Sequence, residues 1–134
     1  MLAPAGFLVL LLLASVSVDS AIAYLGRRQL ENAVASAAND AVTVAIPDGP
    51  SDGSLQKGDD ARPDPARALQ IANQAVMHSY SGGLTARDVT VAVDGQTVTV
   101  TATGSVNYIF AKAIPGVHHS ATVKAQSVAI VRFR

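Results

Sequence analysis

The sequence predicts an α+β protein: a long N-terminal helix, a second helix and a small, mainly antiparallel three-stranded sheet. Two observations carry this. An uncharged run near the N-terminus passes without a proline into a stretch whose Ala and Val residues recur at helical spacing. Farther on, two valine-rich segments alternate with a period of two across an Asp-Gly pair. The first pattern belongs to a helix and the second to a hairpin.

No residue from Ala5 to Val18 is charged, and Phe7, Leu8, Val9, Leu10, Leu11, Leu12, Leu13, Val16 and Val18 make this segment strongly apolar. These nine side chains are the expected membrane anchor. Fourteen residues cover about 21 Å as a helix, short of a hydrocarbon core of about 30 Å. A helix drawn through residues 1–25 spans the bilayer and brings Asp19 close to one end, where a carboxylate is tolerated. The alternative is a signal peptide cleaved after Ala23, with Ala21-Ile22-Ala23 as the A-x-A site. No basic residue precedes Asp19, as a signal peptide would require, and the helical pattern continues through the supposed cut. Arg27 and Arg28 are the cations that flank the run. The positive-inside rule would hold them in the cytoplasm unless a start upstream of Met1 restores charge on the other side.

Beyond the anchor, Leu30, Ala33, Val34, Ala37 and Ala41 fall on one helix face, with Ala38 and Ala45 beside them. This is the expected helix-packing stripe, and residues 26–46 extend the anchor helix to about 40 residues, or about 60 Å. Gly26 is the one weak position before Pro47.

The steps Val18-Asp19-Ser20, Ala23-Tyr24-Leu25, Arg28-Gln29-Leu30-Glu31-Asn32-Ala33 and Ala37-Ala38-Asn39-Asp40-Ala41 resemble the N-terminal motif of Tad-type (Flp) pilus-assembly proteins, the TadE/TadG-like family. In that family an apolar anchor leads into an aspartate, a basic pair, a Leu-x-Asn-Ala step and an Ala-rich helix. The resemblance implies a bacterial, minor-pilin-like or accessory structural protein. It would be single-pass in the cytoplasmic membrane, with its C-terminal part outside the cytoplasm, and its partners would be other pilin-like or pilus-assembly proteins. The opening MLAPAG lacks the charged leader and the glutamate of prepilin-type members, so prepilin processing is not implied.

Residues 47–63 hold three prolines, three glycines and a scatter of aspartates, which reads as a solvated connector; the spacing of a calcium loop is missing. Residues 64–134 form the expected extracytoplasmic head. Asp64 is placed to cap a helix that Pro65 opens and Gly82-Gly83 ends, with Leu69, Ala72, Val76 and Tyr80 on one face and Ile71 and Ala75 widening it. His78 suits the negative end of that helix.

Val89, Val91 and Val93, then Val98 and Val100, alternate with Thr and Ala. A two-residue turn at Asp94-Gly95 would set Val91 opposite Val98 and Val89 opposite Val100. The apolar stretch VNYIFAKAI (106–114) reads as a short helix or turn plugging the sheet end, or else as an exposed contact patch. In the last strand, Ala121, Val123 and Ala125 share one phase and Val128 and Ile130 the other. The slip near Gln126-Ser127 suggests a bulge or a strand buried on both faces.

Composition narrows function. The chain carries ten basic and ten acidic residues, no Cys and no Trp, and 4% aromatics. No basic patch interleaved with aromatics points to nucleic acid. One Glu, adjacent His118-His119 and threonines at strand spacing (Thr90, Thr97, Thr99, Thr101, Thr103) form no catalytic or zinc-binding arrangement. A non-enzymatic protein with no cofactor, metal or small-molecule substrate is expected. A secreted binding domain released after Ala23 is the alternative.

Overall fold

The structure, a computed structural model, describes residues 3–44, 63–78, 84–113 and 115–130. Helix α1 runs unbroken over Ala3–Val44, 42 residues, and α2 over Pro65–His78. Strands β1 (Leu84–Asp94), β2 (Thr97–Asn107) and β3 (Ser120–Ile130) form an antiparallel sheet in the order β1-β2-β3, with a 3₁₀ turn at Ala111–Ala113 before β3. The α+β arrangement is as the sequence predicts. The aspartate-rich connector, Tyr80 and Gly82-Gly83 lie outside the described residues.

Helix α1 divides in two. Beyond Gly26 it is the centre of the head: Leu30, Val34, Ala37, Ala38 and Ala41 are fully buried and Ala33 nearly so. They pack with Ala68, Ala72 and Val76 of α2 and with Val98, Val100, Ala102, Val106, Val123, Ala125 and Ala129 of the sheet. The stripe is therefore internal, covered by the chain's own second helix and sheet. Because helix meets helix and sheet through alanines, backbones approach closely and many weak dispersion contacts accumulate.

The structure departs from the sequence reading at three points. In α2 the buried row is Ala68, Ala72 and Val76, while Leu69 is 38% exposed, so Leu69 is not part of the packing face. The smaller side chain takes the contact and the larger one rides at its edge. In β3 no bulge or double burial occurs: the strand pairs with β2 without interruption from Asn107↔Ser120 to Thr97↔Ile130. Val123, Ala125 and Ala129 face the core, and Val128 and Ile130 stand on the open face of the sheet. Gly26, the apparent weak point of α1, is buried where the helix crosses β2, and a Cβ there would overlap the Val106 side chain.

Asp64 caps α2 as its sequence position suggests. Its Oδ1 accepts from the Ala66 amide at 3.1 Å and its carbonyl accepts from the Ala68 amide. The hairpin forms with its valines on the core side, but its turn is Gly95-Gln96 rather than Asp94-Gly95. Asp94 pairs with Thr97, Val91 with Val100, Val93 with Val98 and Val89 with Ala102. Gly95 has φ +58° and no non-glycine residue among those described has positive φ, the pattern of a turn with Gly at its first central position. The slide relative to the expected register is two residues, so the face is preserved. A bulge at Arg87 separates Ala86↔Gly104 from Asp88↔Thr103.

Candidate functional site

The anchor residues are brought together by one helix and covered by nothing. Phe7, Leu8, Val9, Leu10, Leu11, Leu12, Leu13 and Val16 are 51–65% exposed and Val18 is 41% exposed. Farther up the helix, Tyr24 and Leu25 are also exposed. Helix α1 is long and apolar enough to cross a membrane, and only 6% of its most apolar window is buried, unlike the core helix of a soluble domain. Its serines suit an apolar medium. Ser15, Ser17 and Ser20 donate their hydroxyls to the carbonyls of Leu12, Leu13 and Val16 within the same helix.

Where this bare segment meets the head, a site forms that the sequence did not announce. Asp19 lies at the junction, and its carboxylate accepts three consecutive backbone N–H groups from the β2–β3 loop. Oδ1 accepts from Ile109 at 3.0 Å and from Phe110 at 3.2 Å; Oδ2 accepts from Ala111 at 2.9 Å. Those amides open the 3₁₀ turn, so the carboxylate occupies the positive end of a short run of aligned peptide dipoles. Ala111 is buried there, whereas Ile109 and Phe110 point outward at 63% and 45% exposure. The loop therefore does not plug the sheet with its large side chains. It is docked on α1 by backbone and presents them outside, as in the contact-patch alternative. Ser15, Val16, Asp19, Ser20, Tyr108, Phe110, Ala111 and Val117 line an open cleft between helix and loop.

The remaining polar groups are dispersed. Arg27 pairs with Glu31 at 2.9 Å, but both side chains are largely exposed, and such pairs contribute little. His78, His118 and His119 are all exposed. Among the described residues, no three His, Cys, Asp or Glu side chains come together in a way that could hold a metal ion. Asp94 and Gly95 sit at the hairpin tip, where Asp94 ends β1 and Gly95 begins the turn.

Comparison with protein-family models, with curated proteins and with solved structures gives no match to this chain. The site must therefore be read from its own chemistry. It offers a bare apolar helix, a carboxylate that accepts three backbone amides and an outward-facing apolar loop. These are the materials of attachment.

Proposed function

We propose that this chain is a non-enzymatic, single-pass membrane protein whose α+β head stands outside the cytoplasm. Its role is that of a minor-pilin-like or accessory component of a Tad-type pilus or a related assembly machine. The observation that carries the reading is the division of α1. One continuous helix supplies the centre of the head's core and then leaves it as a bare apolar rod. A head built this way cannot swing on a linker, so its orientation follows that of the membrane segment. This coupling suits a protein that meets its partners side by side in a bilayer. The motif from Val18 to Ala41 supplies the specific role by its resemblance to TadE/TadG-like proteins.

A secreted domain released after Ala23 remains the contrasting reading. Such a cut would remove Asp19, leaving three loop amides without their acceptor, and would remove Ile22, which packs against the core. The test is genetic. Deleting the gene in its host should abolish surface fibres, and the full chain should restore them where a chain beginning at Tyr24 does not. Unaltered fibres in the deletion strain would overturn the pilus role, and rescue by the shortened chain would overturn the requirement for an anchor.

A further inference from the structure

The β2–β3 loop reaches the bare half of α1 at Asp19. It docks on the helix at Asp19, and Phe110 and Val117 share an open cleft with Ser15 and Val16, which lie about one turn nearer the N-terminus than Asp19. Those helix positions belong to the segment that the anchor reading immerses in lipid. The loop's large apolar side chains, Ile109, Phe110 and Val117, are exposed and extend the apolar surface of the helix sideways. An apolar surface this continuous calls for something to cover it.

Where the loop meets α1, its backbone amides are paired within the protein. The Ile109, Phe110 and Ala111 amides donate to the Asp19 carboxylate, the Tyr108 amide donates to the His119 carbonyl and the Ala113 amide to the Phe110 carbonyl. Irregular backbone is costly at membrane depth unless its N–H groups find partners within the protein, and those of Tyr108 to Ala111 and of Ala113 do. Exposed polar groups flank the apolar side chains along the chain. Asn107 and Ser120, where the chain leaves and re-enters the sheet, are exposed, as are Lys112, His118 and His119. Tyr24 is exposed on α1, and Tyr108 is half-buried at the loop's start. Amphipathic rings and a cation beside exposed apolar side chains are the groups that suit a bilayer surface, where aromatics and positive charge meet the headgroups and aliphatic groups the acyl chains.

We infer that the β2–β3 loop makes a second membrane contact through Ile109, Phe110 and Val117, inserted at the acyl boundary of the leaflet on the head's side. The inference rests on α1 being a membrane anchor. Asp19 fixes the loop's level against the helix, so anchor and loop enter the bilayer as one unit and the head sits on the surface at a set height.

The chain has no tryptophan, so single substitutions give unambiguous depth probes. The full chain would be reconstituted in vesicles of phosphatidylethanolamine and phosphatidylglycerol doped with phosphatidylcholine brominated at shallow or deep acyl positions. Ile109→Trp is the primary probe and Phe110→Trp repeats it from the neighbouring side chain. Leu12→Trp reports the anchor, and Val128→Trp reports the open face of the sheet. The expected result is loss of Ile109→Trp and Phe110→Trp emission with shallow bromines. Leu12→Trp should lose emission with deep bromines, and Val128→Trp with neither. Quenching of Leu12→Trp with none at either loop position overturns the loop contact and leaves the anchor standing. Blue-shifted but unquenched loop emission overturns it too, because protein rather than lipid would then cover the patch. Absence of quenching at Leu12→Trp overturns the anchor and the loop contact together.

Discussion

Replacing Gly26 by alanine sets two effects of opposite sign against each other, and the structure says which prevails. Alanine is the better helix former by about 0.5–1 kcal/mol, so a substitution judged on α1 alone should stabilise. The added Cβ, however, would overlap a γ-methyl of Val106. Val106 is only 2% exposed and is held from both sides, paired with Leu84 on β1 and with Ala121 on β3. A β-branched side chain in that position has little rotamer freedom with which to give way. Overpacking of this kind costs about 1–3 kcal/mol, so Gly26→Ala should destabilise by up to about 2.5 kcal/mol in net. For a domain of this size that corresponds to a melting-temperature loss on the order of 4–8 °C per kcal/mol, read by circular dichroism of the full chain in detergent micelles. The double mutant makes the test specific. With Val106→Ala the clashing methyls are gone, and the nearest remaining atom, the Cβ of residue 106, lies 3.5 Å from the new group, an ordinary contact. In that background Gly26→Ala should become neutral or gain about 0.5–1 kcal/mol, giving a clear coupling between the two sites. Stabilisation by Gly26→Ala in both backgrounds would refute the argument, because it would mean that helix and strand do not touch at Gly26.

The same melting experiment applies at two other positions. Gly95→Val should cost about 1–3 kcal/mol, since a β-branched residue resists φ +58° although nothing crowds the site; an unchanged transition would place the turn elsewhere. Ala37→Leu, at a fully buried position of the stripe, should destabilise by about 1–3 kcal/mol and lower abundance; a normally folded variant that merely loses a partner would show that the stripe is an intermolecular surface. Asp19→Ala leaves the loop amides without their acceptor. Hydrogen exchange at Ile109, Phe110 and Ala111 should accelerate while the β1–β2 ladder stays protected, and unchanged exchange would show that the carboxylate does not hold the loop.

What was legible in the sequence is what depends on local period. An uncharged run fused to an Ala/Val stripe identifies α1, and valine alternation identifies the hairpin and its core face. Register was less accessible. Sliding the turn from Asp94-Gly95 to Gly95-Gln96 moves the pairing by two residues, which the alternation cannot detect because both registers bury the same valines. Burial was misjudged where hydrophobicity was taken as its measure. Leu69, Val128 and Ile130 are larger and more apolar than Ala68, Ser127 and Ala129, yet they are the more exposed residues. In a head whose layers approach through alanine, space rather than hydrophobicity decides which side chain enters. Gly26 and Asp19 were illegible for another reason. Each looks like a local defect, a helix breaker and a charge in an apolar segment, and each is resolved by a partner some 80–90 residues away, Val106 and the 109–111 amides respectively. No spacing along the chain encodes such a pairing.

The central claim is that α1 remains attached and carries the head on a bilayer. It is tested most directly by the intact mass of the protein in carbonate-washed host membranes. The account predicts that the chain stays in the pellet through high salt and alkaline carbonate, that detergent releases it, and that its mass includes the segment from Phe7 to Val18. Recovery of the protein as a soluble species beginning at Tyr24 would contradict the account.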